Sequence, residues 1–168
     1  MKFESFRVRG LKLENRLEQG ELMVKVEVLC FDELGIADFC KLVKENKNKI
    51  HFTYVRLMGD NHEHGHMSTD HRVKVGQEGF MAMMEAFTVG LFQFTYEFRF
   101  YNFAPEMTPL LAFADSLVGN PSLNTIGFAC NDLTQDMCAA IMQRLYYNPS
   151  LTCLDFNGNN FVSTEFDQ

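Results

Sequence analysis

One line of this sequence is written twice. Asn120-Pro121-Ser122-Leu123 returns as Asn148-Pro149-Ser150-Leu151, 28 residues on, and the residues after each copy also match. The first copy continues through Ile126, Phe128, Asn131 and Leu133; the second continues through Leu154, Phe156, Asn159 and Phe161. Counting from Leu123 or Leu151, large apolar residues fall at positions one, four, six and eleven, and Asn falls at nine. Positions four and six are two apart, so on an extended strand they face the same side. A fixed period in the twenties marks a chain built from stacked units, each too small to bury its own apolar face.

The same spacing reads backwards through the chain. Met23, Val26 and Val28 take positions one, four and six of a first unit, with Phe31 at nine. Phe52, Val55 and Leu57 take them in a second, with Asp60 at nine. Phe98 and Phe100 take four and six in a third, which starts near Thr95 and carries Phe103 at nine and Pro105 at eleven. Units therefore start near residues 23, 52, 95, 123 and 151. The interval from Phe52 to Thr95 is 43 residues, one unit plus about 15 inserted ones, and residues 59–74 supply that insertion.

Between strands the pattern changes to helical. Ile36, Phe39, Cys40 and Val43 lie on one helical face, and Asn46-Lys47-Asn48 ends that helix. A second helix is predicted over Gln77 to Thr88, with Phe80, Met81, Met84 and Phe87 inward and Gly90 as its C-terminal stop. The Met-rich run within it reads as core, with a partner groove as the other reading. A third helix begins at Thr108-Pro109, with Pro at the first helical position, and turns Leu110, Leu111, Ala114 and Leu117 inward up to Gly119. A fourth begins after Thr134 and uses Met137, Ile141 and Leu145. Ahead of the first unit, Phe6-Arg7-Val8 and Leu11-Lys12-Leu13 alternate around Gly10, which predicts a strand pair or hairpin capping the end of the array.

The spacing L-x-x-L-x-L-x-x-N-x-L at 28 to 29 residues resembles the leucine-rich repeat, and the unit length resembles its ribonuclease-inhibitor-like type. The resemblance covers about residues 21–161. It implies an α/β solenoid, a short right-handed horseshoe with a parallel sheet on the concave side and helices on the convex side. The expected domains are a hairpin-like cap over 1–20 and a repeat domain over 21–168. It also implies that Asn131 and Asn159 bond backbone groups of neighbouring turns, because buried backbone polar groups need partners. Phe, present 17 times, stands in for many of the expected leucines.

Such repeats act as scaffolds that bind proteins along the concave surface and edge loops. They occur in eukaryotic regulators and in effectors secreted by intracellular bacteria. Strand residues between the core positions would then form outward columns. Position five gives Glu27, Arg56, Arg99, Gly127 and Asp155; position three gives Lys25, Tyr54, Glu97, Thr125 and Cys153. The middle strands show Tyr54, Arg56, Met58, Glu97, Arg99 and Tyr101 as one patch. Tyr, Arg and Met are enriched at protein interfaces. The plainer reading is a solvated sheet face with cross-strand charge pairs such as Glu97 beside Arg56. The fifth unit leaves little room for a helix after its strand, so a homodimer through that edge is a further expectation.

Composition bounds the rest. Net charge is −7, which argues against nucleic-acid binding as a main role. No apolar run approaches the roughly 20 residues of a membrane helix. Met1 to Gly10 is polar and charged, and the five cysteines show no CxxC spacing, so the expectation is reduced thiols in a cytoplasmic compartment, the host cytosol for a secreted effector. No GxSxG, GxxxxGK[ST], DFG or Cys–His pairing is present, so no catalytic residue and no cofactor are predicted. One polar stretch carries His62, His64, His66 and His71 beside Asp60 and Glu63. Imidazole and carboxylate suit zinc, copper or nickel, and a metal-binding protein or metal-assisted enzyme is the alternative reading. The spacing lacks HExxH or paired-Cys order, and a solvated insertion is the plainer account of it.

Overall fold

The computed structural model describes residues 5–59 and 72–161. Eight strands and four helices lie within them. In chain order these are β1 (Phe6–Arg16), β2 (Leu22–Cys30), α1 (Glu33–Glu45), β3 (Ile50–Gly59), β4 (Val73–Val75) and α2 (Gln77–Thr88). They continue as β5 (Glu97–Tyr101), β6 (Phe103–Pro105), α3 (Met107–Leu117), β7 (Thr125–Gly127), α4 (Gln135–Leu145) and β8 (Cys153–Asp155). Six strands form one sheet in the order β1-β2-β3-β5-β7-β8, and β4 pairs with β6 in a second. Only the β1–β2 pair in the large sheet is antiparallel.

Position four is in register across the whole parallel sheet. Val26 faces Val55, Val55 faces Phe98, Phe98 faces Ile126, and Ile126 faces Leu154. The first four are buried together with the position-six residues Val28, Leu57, Phe100 and Phe128. The helices supply the other wall of this core. They pack side by side in sequence, α1 on α2, α2 on α3 and α3 on α4. Phenyl rings run along the seam. Phe100 stacks on Phe128 at 5.3 Å, and Phe128 on Phe156 at 6.0 Å, three position-six rings in a row.

The duplicated Asn-Pro-Ser-Leu lines build the turns that lead from helix to strand. Asn120 Oδ1 accepts from the backbone of Ser122 and Leu123, both at 3.0 Å. Asn148 Oδ1 does the same for Ser150 and Leu151 at 2.9 and 3.0 Å. Each Ser then reaches back one turn. Ser122 Oγ donates to the Gln93 carbonyl and Ser150 Oγ to that of Asn120. At the other end of the strands Asn131 and Asn159 tie the turns. Asn131 Oδ1 accepts from Phe103 N (2.8 Å), and its Nδ2 donates to the Phe100 carbonyl. Asn159 accepts from Asn131 N and Leu133 N, and donates to the carbonyls of Phe128 and Phe156.

Several local expectations are corrected. Residues around Gly10 form one strand, not a pair; bulges after Val8 and after Leu13 absorb the irregular spacing, and the hairpin partner is β2. Phe52 lies opposite Val24 rather than Met23, because Thr53 is an extra residue in β3. The end of the insertion, Val73–Val75, is a strand on β6, and Pro105 closes that ladder. α1 starts at Glu33, where Asp32 accepts from Gly35 N. α2 buries Met83 and leaves Met81 56% exposed. α3 starts at Met107, so Pro109 is its third residue, where a missing N–H still costs no helical bond. Phe113, not Leu111, is among its buried residues. The Thr134 cap and the left-handed Gly90 (φ 75°) stand as expected.

Candidate interaction surface

The core takes one face of the large sheet. Alternation along each strand then sends the intervening side chains to the other face, which no helix among the described residues covers. Tyr54 lies beside Glu97, Arg56 beside Arg99, and Met58 beside Tyr101 on the neighbouring strands. The predicted patch is thus assembled, with one exception. Met58 is buried, 3% exposed, and Nη1 of Arg9 lies 3.7 Å from its sulfur. Arg9 is the bulge residue of β1, so the spacing of β3 carries no sign of this cover. Tyr54, Arg56, Glu97, Arg99 and Tyr101 are all half-buried.

The charges of this face pair in a pattern different from the expected Glu97–Arg56 contact. Arg56 reaches back to Glu27 (3.3 Å), and its guanidinium lies over the Tyr101 ring at 4.3 Å. Arg99 bonds Glu97 on its own strand and crosses to Asp155 Oδ2 at 2.6 Å. The crossing runs over Gly127, on the strand between them. A Cβ at Gly127 would meet Arg99 Cγ at 3.0 Å, so the guanidinium stem lies flat on that glycine. Partial burial opposes the charge on Arg99, but bonds to Glu97 and to the Tyr101 hydroxyl outweigh it and push its pKa up. Tyr54 is pushed up by burial, and Glu97 adds to the effect.

A second cluster at the same face joins Lys25 and Tyr54, both expected in the position-three column, to Glu14 and Tyr96, which no column contains. Lys25 bonds Glu14 at 3.0 Å and approaches the rings of Tyr54 and Tyr96. Tyr96, then Glu14, hold the Lys25 ammonium charged, raising its pKa. Burial would raise Glu14, but bonds from Thr53 and Lys25 prevail and hold its carboxyl below the usual range. Glu14 sits at the second bulge of β1, which turns its side chain to β2 and β3. No periodic signal marks such a residue.

The insertion histidines His62, His64, His66 and His71 lie outside the described residues. Among the described residues no group of three or more His, Cys, Asp or Glu side chains could hold a metal ion. The five cysteines are free thiols. Burial pushes the Cys40 thiol up to about 12 and Cys30 higher still. No helix among the described residues is long and apolar enough to cross a membrane. Compared with known proteins, the chain matches no family model and no curated protein.

Proposed function

We propose that this chain is a leucine-rich-repeat solenoid of the ribonuclease-inhibitor-like type, and that it works as a non-enzymatic module binding a protein partner. The partner docks on the open sheet face and the loops at its edge. The 28-residue spacing, the position-four register and the Asn-tied turns support the repeat reading. One observation carries the binding reading. Tyr54, Arg56, Glu97, Arg99 and Tyr101 stand on adjacent strands of a parallel sheet, half-exposed, with no helix among the described residues over them. Parallel sheets are ordinarily covered on both faces, so an open one is a surface kept for use.

The ion pairs on this face shape its chemistry. Each arginine already has a carboxylate, so the face presents a rigid, nearly neutral array and not a field of one sign. Recognition would rest on the tyrosine rings and on donors left over on each guanidinium, where aromatic and Arg anchors dominate binding energy. Affinity capture from the native cell, quantified by mass spectrometry, tests this. Tyr54→Ala with Tyr101→Ala should lose a specific partner by at least about tenfold while the circular dichroism spectrum is kept. Retention of every specific partner by that variant, and by Arg56→Glu, would remove the open face from the proposal.

A further inference from the structure

The first strand of the sheet carries a different opportunity, on the opposite face. α1 packs against β1, with Phe39 edge-on to Phe6 at 6.2 Å, and among the described residues no strand pairs with the outer edge of β1. Leu11 and Leu13 point to the core side, opposite Val26 and Val24, yet they are 62% and 48% exposed. Beside them a groove of about 440 Å³ opens between β1 and α1. Its lining is mostly apolar, with Val8, Leu11, Phe39, Leu42 and Phe52, together with Arg9 and Asn46. An apolar trough thus adjoins a strand whose outer backbone groups await partners.

The charge on this strand selects the occupant. β1 bears Arg7, Arg9, Lys12 and Arg16 in a chain of net charge −7. Arg7, Lys12 and Arg16 form no ion pair among the described residues. Its one carboxylate, Glu14, is turned back onto Lys25 and Thr53. A second copy of the same strand would bring cations against cations, which disfavours self-pairing. We propose that β1 accepts an extended, acidic–apolar segment of a partner protein as an added strand. Backbone bonds form along Gly10–Leu13, the regular stretch between the two bulges. Alternate apolar side chains enter the groove beside Leu11 and Leu42, and the acidic ones meet Arg7 and Lys12.

The probe is a capped, fluorescein-labelled heptapeptide of alternating Val and Glu, titrated against the full chain by fluorescence anisotropy. Saturable binding is expected, at least about tenfold tighter than for the Val/Lys counterpart. Arg7→Glu with Lys12→Glu, both on exposed side chains, should reverse that preference. Hydrogen exchange should slow at backbone amides of Gly10–Leu13 when the peptide binds, and N-methylation along one edge of the peptide should abolish binding. Absence of saturable binding overturns the proposal. So does a Leu/Glu helical peptide that binds more tightly without protecting β1 amides. A doubled mass for the chain alone, with those amides already protected, assigns the edge to a second copy and overturns it too.

Discussion

At the scale of single residues, the most telling side chain is Asn131, 1% exposed in the core. Its amide satisfies one donor and one acceptor of the neighbouring turn, Phe103 N and Phe100 O. With the side chain gone, both groups lose their protein partner inside the core. Leaving a buried backbone group unpaired costs about 1–3 kcal/mol. Asn131→Ala should therefore lower the unfolding free energy by about 2–4 kcal/mol, read from urea denaturation. Asn159 makes more such bonds but is half-exposed, and water can replace part of them. Asn159→Ala should cost less than Asn131→Ala. The reverse order would mean that burial does not set the strength of these ties.

At the scale of elements, the bounds of α2 were legible, Gln77 to Thr88 as expected, but the group that caps its start was not. Strand positions follow a period of two and a repeat of 28, lengthened to 43 across the insertion, so Val55, Phe98, Ile126 and Leu154 align from the sequence alone. The tyrosine and arginine columns follow from the same alternation. Helix starts depend on who caps them. Gly76 precedes α2 and offers no side chain; Glu33, from the first turn of α1, accepts from Gly76 N at 3.1 Å and Gly79 N at 2.6 Å. A cap delivered from another helix leaves no trace in the sequence around Gly76. The same limit hid the cover on Met58 and the pairing of β4 with β6, each made by residues far away in the chain. Gly79 fits closely under this cap: a Cβ there would meet Val75 Cγ1 at 3.0 Å and Glu33 Cγ at 3.1 Å, and both side chains would have to give way. Glu33→Ala removes a carboxylate from the N-terminus of α2, where both its bonds and its charge are favourable. The expected loss is about 1–2 kcal/mol by denaturation, with faster amide exchange at Gly76 and Gly79. Unchanged exchange at those two amides would show that α2 does not depend on α1 for its start.

At the scale of the whole molecule, a single apolar cluster runs from Phe6 on the first strand to Leu145 on the last helix. The rings at its middle tie the units together. Phe100 meets Phe98, Phe103, Phe113 and Phe128 at 5.0–6.3 Å, drawing on β5, β6, α3 and the chain after β7. Phe156, near the far end, stacks on Phe128 at 6.0 Å and is only half-buried. Removing a buried phenyl ring costs about 3–5 kcal/mol, and less where the site is open to water. Phe100→Ala should therefore cost about 3–5 kcal/mol and Phe156→Ala clearly less, by the same denaturation measurement. Hydrogen exchange distinguishes one cooperative body from loosely joined units. If the cluster acts as one, Phe100→Ala accelerates exchange in β2 and β7 as well as in β5, because opening the middle exposes both sides. Exchange that rises in β5 alone would instead mean that each strand–helix unit opens by itself, with stability carried by its own contacts.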